Sequence, residues 1–212
     1  MPALDHLTVI APSLAEGVAH IRECLGVDIP FGRKHQHMGT HNHLLELGNT
    51  VYLEVIAVDE TVPVPAHPRW FGLGEAAAVR QAWDEGRRLR GWVARTDHFD
   101  DHMTRHGAVY GERREFGSAN GSYYFAIPQD GSLPMNGLAP SLIDRQGKRP
   151  SMPPQADQGC RLKTFTIRHP DTAMVAELYR RLDVTGAPAV EHGPSFRYVA
   201  GIETPAGLKI LF

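Results

Sequence analysis

Histidine suits both proton transfer and metal binding near neutral pH, because its imidazole titrates there and either ring nitrogen can carry the bond. Of the twelve histidines in this 212-residue chain, four fall within nine positions: His35, His37, His41 and His43. On a strand, His41 and His43 share a face and can chelate, and His35 and His37 stand in the same relation. No cysteine accompanies them and i, i+2 pairs are common, so a dedicated zinc centre is not the expectation. His98, His102 and His106 recur at helical spacing beside Phe99 and Met103, which predicts a solvated helix face. In "GERREFGSANGSYYFA", Arg113 and Arg114 share a hairpin with Tyr123 and Tyr124. An inward arginine there would grip a carboxylate or phenolate through paired hydrogen bonds, and Arg113 is assigned that role. The chain has no GxSxG elbow and no GxGxxG loop, which removes triad hydrolysis and dinucleotide binding from the expected chemistries.

The elements that position these residues recur. "LDHLTVIAP" alternates like a strand, and "SLAEGVAHIRECLG" repeats Leu14, Val18, Ile21 and Leu25 at helical spacing, with Ser13 as N-cap and Gly26 as stop. "VDIPF", "HNHLLELG" and "TVYLEVIAVD" follow as strands, giving β-α-β-β-β. That order starts again near Leu89, with a turn at "SANGS", and a third time near Leu162, where Ala173, Leu178 and Leu182 are the expected buried face of the helix. The predicted divisions are a first module over 1–60, a connection with a helix over 61–88 and a second module over 89–147. A linker over 148–160 and a third βαβββ-like module over 161–212 complete them.

Strand alternation aims His6 and Glu54 the same way. In the first strand Leu7 and Val9 oppose His6, Thr8 and Ile10; in the last, Leu53 and Val55 oppose Tyr52, Glu54 and Ile56. A helix covers each all-apolar face, which leaves His6 and Glu54 on the concave side. Either they serve a ligand site, or they satisfy one another as a buried hydrogen-bonded pair.

Composition narrows the partners. A hydrophobic fraction of 42% and a charged fraction of 22% fit a folded globular chain. The net charge of -2 with dispersed basic residues gives no footprint for nucleic acid or an anionic membrane. No apolar run is long enough to span a bilayer and no signal peptide is evident, so a cytoplasmic protein with a small-molecule ligand is expected. Cys24 and Cys160 are isolated thiols, in keeping with a reducing compartment.

A βαβββ module opening "LDHLTV", followed by "GTHNHLLELG" and "VYLEVIAVD", resembles the glyoxalase-like group of the vicinal oxygen chelate superfamily, over about Leu4 to Asp144. The resemblance implies an α+β fold of repeated βαβββ modules, with curled mixed sheets, helices outside and a concave ligand cavity. It also implies a divalent metal (Zn, Mn, Fe or Ni) held by residues from the first and last strand of each module. His6 and Glu54 match two of those positions, with Glu54 as general base or ligand. Gly91 stands where a second-module counterpart of His6 would be, and Asp144 sits about where the counterpart of Glu54 would. His41, Asn42, His43 and Tyr52 border the implied cavity, beside Arg113. The activities implied are of lyase, isomerase or dioxygenase type on a small organic molecule. The alternative is a metal-free binding or resistance protein that sequesters an aromatic ligand. An odd number of modules points to a homodimer.

Overall fold

The computed structural model describes residues 1–118 and 121–212. The turn expected at "SANGS" therefore centres on Ala119 and Asn120, which lie outside the described residues.

Strand β1 (Ala3–Ile10) is rich in β-branched and apolar residues, and nearly all of it is buried because both of its faces are covered. Helix α1 (Leu14–Leu25) follows at once. Ser13 caps it, Oγ accepting from the Glu16 N–H at 3.3 Å, and Gly26 ends it with φ 71°. The helix lies directly on the sheet, since a Cβ on Gly17 would stand 2.4 Å from Val55 Cγ1. Strands β2 (Phe31–His35), β3 (Thr40–Glu46) and β4 (Tyr52–Val58) complete the unit. The connection carries a short turn, Trp70–Gly72, and helix α2 (Ala76–Asp84). Then come β5 (Leu89–Arg95), α3 (Phe99–Tyr110), β6 (Glu112–Ser118), β7 (Gly121–Ile127) and β8 (Ser141–Asp144).

These eight strands form one curled sheet in the order β2-β3-β4-β1-β5-β8-β7-β6, joined at its centre by antiparallel pairing of β1 with β5. Helices α1 and α3 pack on the outer face, α1 against β4 and α3 against β8 and β7. Leu7, Leu53, Val55, Ala94 and Leu142 form the core beneath the outer face. A second cluster, with Ile10, Ile56, Trp70, Phe71, Val93, Phe125 and Ile143, packs on the inner face. The α+β architecture with a curled sheet and helices outside is the one the family resemblance implies.

Strand β9 (Arg161–His169), helix α4 (Thr172–Leu182) and strands β10 (Ala189–His192), β11 (Arg197–Thr204) and β12 (Gly207–Leu211) follow the same element order, but pair differently. Their sheet runs β10-β9-β11-β12. With β10 on one side and β11 on the other, β9 offers no free edge of the kind through which β1 meets β5. Helix α4 buries Val175, Leu178, Tyr179 and Leu182, an i, i+3, i+4, i+7 face, while Ala173 is exposed, one position off the expected stripe. The unit is anchored at Trp92 of β5, whose Nε1 donates to the Tyr198 hydroxyl at 2.9 Å; that hydroxyl donates on to the Gly137 carbonyl at 2.6 Å.

Candidate functional site

The concave face of the eight-stranded sheet encloses a cleft of about 750 Å3, its open mouth included. His6, Asn42, Tyr52 and Glu54 line its floor, Trp70, Phe71 and Phe125 one wall, and Arg33 and Arg145 add positive charge. Lys148 and Arg149, in the segment leaving β8, extend that charge.

Parallel pairing of β1 with β4 sets Thr8 opposite Glu54 and His6 opposite Tyr52. The two rings stack at 4.5 Å between centroids and 19° between planes. His6 Nε2 then lies 3.4 Å from Glu54 Oε2. On the other side of the imidazole, Nδ1 stands 2.7 Å from Oδ1 of Asp5, which is fully buried. Consecutive strand residues normally face opposite ways, but β1 bulges here: Leu4 and His6 oppose the adjacent residues Ala94 and Val93, leaving Asp5 as the extra one. Arg145 closes the group, Nη2 donating to Asp5 Oδ1 at 2.6 Å and to the Tyr52 hydroxyl at 2.7 Å. Asn42 Nδ2 donates to Glu54 Oε1 at 2.6 Å.

These contacts fix the charges. Burial alone would raise Asp5, yet the hydrogen bond to His6 and the Arg145 charge bring its pKa down to about 2. Burial likewise pushes Glu54 up, and the His6 hydrogen bond and charge outweigh it, holding the carboxyl below its ordinary range. His6 shows the converse: burial opposes its protonation, and the bonds to Asp5 and Glu54 raise its pKa regardless. The imidazole is thus held between two carboxylates that favour its charged form, with Arg145 also bonded to Asp5. With His6 protonated these four groups sum to zero, and Arg33, Lys148 and Arg149 add positive charge to the cleft.

Of the residues expected at the cavity, His6, Asn42, Tyr52 and Glu54 line it, and His41 and His43 do not. Asn42 pairs with Ile56 across β3 and β4, so its strand neighbours turn to the opposite face. His43 Nδ1 lies 2.6 Å from the Ile29 carbonyl, and His41 Nδ1 is 3.9 Å from Asp59 Oδ2. His35 enters instead, on β2, with Nδ1 3.2 Å from Thr40 Oγ1. Burial pushes its pKa down to about 4, so the ring is neutral. Arg113 lies outside the cleft, exposed, 3.0 Å from Asp100 and stacked over Tyr124 at 3.7 Å. The arginines that line the cleft are Arg33, Arg145 and Arg149. On the outer helix, His98 is exposed as expected but His102 is buried, its Nδ1 without a hydrogen-bond partner.

Asp5, Arg33 and Arg145 escaped the sequence-based expectations, and His35 figures among them only as half of a chelating pair with His37. Asp5 left a signal, a carboxylate on the strand face otherwise made by Leu7 and Val9. Arg145 follows Asp144 by one residue, and strand parity separates them: Ile143 and Arg145 line the cleft and Asp144 does not.

The metal set expected from His6, Glu54 and Asp144 is not assembled. Thr8 is paired with Glu54, and its second-unit counterpart Val93 is paired with Ser141, so the register puts Ser141 where Asp144 was expected. Asp144 Oδ1 instead accepts from the Gln146 N–H at 2.6 Å. The Asp5–His6 bond does resemble the support that metal-binding histidines receive. Yet Asn42 occupies one Glu54 oxygen, Arg145 shares the buried group, and no cluster of three His, Cys, Asp or Glu suited to a metal occurs among the described residues. These donors do not fit a three-ligand centre.

A family model described as a glyoxalase-like domain matches residues 4–182. Among solved structures, a hypothetical protein from Staphylococcus aureus is similar with a TM-score of 0.57 at 14% identity, over 93% of this chain and 89% of that one. Methylmalonyl-CoA epimerase from Mycobacterium tuberculosis gives 0.40 at 18% identity, over 66% and 86%. A Streptomyces coelicolor methylmalonyl-CoA epimerase in complex with 2-nitronate-propionyl-CoA gives 0.41 at 16%, over 70% and 97%. The first of these likenesses shows the fold alone, and the other two carry no argument about chemistry. No curated protein matches the sequence.

Proposed function

This chain belongs to the glyoxalase-like domain family, and on that premise we propose that it is an enzyme transferring a proton on a small organic anion, with Glu54 as the base. The observation that carries the proposal is the buried chain Asp5–His6–Glu54, which ends in a cleft lined by Arg145 and Arg33.

Glu54 is ionised, with Asn42 on its Oε1 and the His6 imidazole on its Oε2, and the second lone pair of Oε2 remains to accept a proton. A C–H beside a carbonyl loses its proton to that oxygen, and the electron pair moves onto the carbonyl oxygen as an enolate. Arg145 and Arg33 oppose the charge that develops, in a site where Trp70, Phe71 and Phe125 limit water. His35 supplies a neutral donor. Thr40 Oγ1 accepts from Trp70 Nε1 at 3.2 Å and lies 3.2 Å from His35 Nδ1; giving its own hydrogen to Nδ1 would leave the imidazole hydrogen on Nε2. Return of the proton from Glu54 to carbon completes an isomerisation or an exchange. No step is routed through a metal, because the donors do not form a centre for one.

The aromatic wall favours a planar or apolar body on the substrate and equally supports a second reading, a protein that sequesters an aromatic acid without turning it over. The experiment that tests the proposal is exchange in D2O. A panel of small carboxylates with an acidic C–H beside a carbonyl is incubated with the protein and followed by NMR. Protein-dependent loss of a C–H signal is expected. Tight binding of a panel member with no exchange would replace the enzyme by the sequestering protein.

A further inference from the structure

A second cavity lies apart from the first, in the crevice where the start of β5 and the Pro134–Gly137 turn meet β11. Arg87, Arg90 and Arg197 line it, with Asn136 and Phe196, and no acidic side chain is among its lining residues. The three arginines differ in what they already hold. Arg87 is paired with the Glu85 carboxylate at 2.7 Å, and Arg197 donates to the carbonyls of Gly86 and Glu85 at 3.1 and 2.9 Å. Arg90 Nη1 is buried with no hydrogen-bond partner. A buried guanidinium nitrogen without an acceptor is costly, and such groups call for a missing partner. Burial and the neighbouring Arg87 charge both work against the charged form of Arg90, and an anion between the two would relieve both.

The backbone adds an independent observation. Met135 and Asn136 adopt φ 49° and 56° in succession, a left-handed pair of non-glycine residues that sets the Asn136 amide at the rim. Strand parity explains why this cavity is separate: Arg90 shares the outer face of β5 with Trp92, opposite Val93, which packs in the inner cluster beneath the first cleft.

We propose that this crevice binds an oxyanion, a carboxylate or phosphate carried on a small flat group, with Arg90 as its principal donor and Phe196 as the surface for the flat part. A guanidinium fork matches two oxygens of either anion, and an aromatic face accepts a planar ring.

Titration calorimetry with phenyl phosphate tests this. The Arg145→Gln background removes one of the four cations at the first cleft, and dependence on Arg90 separates the crevice from any binding that Arg33, Lys148 and Arg149 sustain there. Saturable binding is expected in that background, with one site weakened roughly tenfold or more by adding Arg90→Gln, the loss of one charge-assisted hydrogen bond. Arg90→Gln also removes an unpaired buried charge, so its melting temperature should not fall. Phe196→Leu should weaken phenyl phosphate and leave inorganic phosphate unchanged, and the same comparison with benzoate tells carboxylate from phosphate. No saturable binding in the Arg145→Gln protein, or equal binding with and without Arg90, would overturn the proposal. So would equal loss of phenyl phosphate and inorganic phosphate in Phe196→Leu, for the part assigned to the ring.

Discussion

Asp5 and His6 are consecutive residues of one strand, yet their side chains meet, Oδ1 to Nδ1 at 2.7 Å. A single extra residue in β1 makes this possible by turning Asp5 out of the helix-covered face and toward the imidazole. The contact fixes the orientation of His6 toward Glu54. It also gives Arg145 a buried anion to hold, so one irregularity in one strand organises the whole charged floor.

Asp5→Asn should uncouple that floor. His6 loses the larger of its two carboxylate partners, so its pKa should fall, read by NMR titration of the imidazole. Arg145 is left buried without its anion, and denaturant unfolding should show a loss of about 2–4 kcal/mol. An unchanged His6 titration would show that the contact does not set its charge.

Arg145 and Arg113 separate the cleft from the outer surface. Arg145→Gln should weaken carboxylate binding in the cleft by roughly tenfold or more. Arg113 stands exposed beside Asp100, and Arg113→Gln should leave both affinity and stability unchanged, stability within about 0.5 kcal/mol. Equal losses in the two variants would put the anion elsewhere.

His35 makes stability depend on pH. Its folded pKa of about 4 lies below the ordinary 6.5, so as pH falls between these values the unfolded chain takes up a proton that the folded chain refuses. Folding stability therefore falls in that window, by about 1–2 kcal/mol given that the ring borders an open cleft. His6 acts in the opposite sense: its raised pKa adds stability that is fully present below 6.5 and is lost as pH rises through the folded value. Urea unfolding of His35→Gln across pH 4 to 7 should show a flatter acid limb than the wild type. An identical limb would remove His35 from the account.

Tyr198→Phe tests the anchor of the last unit. The hydroxyl accepts from Trp92 Nε1 and donates to the Gly137 carbonyl, and removing it leaves the buried indole N–H without that acceptor. A loss of about 1–3 kcal/mol is expected by denaturant unfolding. A neutral substitution would mean that Phe165 and Tyr179, which also contact Trp92, hold the unit alone.

Periodicity explains what the sequence disclosed and what it hid. The inward direction of Tyr52 and Glu54 follows from strict alternation within regular strands, and the α+β fold from the family resemblance. Parity decides the histidine-rich stretch as well. Asn42 faces inward, so His41 and His43 cannot, and the ring that reaches the cleft is His35, on the neighbouring strand. The register of β2 against β3 decides that, and local sequence does not encode it. Asp5 was hidden because a bulge breaks alternation where the rule was applied. Asp144 failed for a related reason, since similarity of sequence between units brought it near the Glu54 position and strand pairing assigns Ser141. The βαβββ element order of the last unit was legible, but its sheet order depends on long-range pairing of β9 with β11.

The central claim is that Glu54 takes the proton, and Glu54→Gln tests it most directly because the amide keeps the shape and removes the base. For a carboxylate that the wild type exchanges in D2O, the variant should bind with affinity within about tenfold of wild type and exchange slower by roughly 10²–10⁴-fold. Exchange by Glu54→Gln at the wild-type rate, with binding intact, would contradict the account.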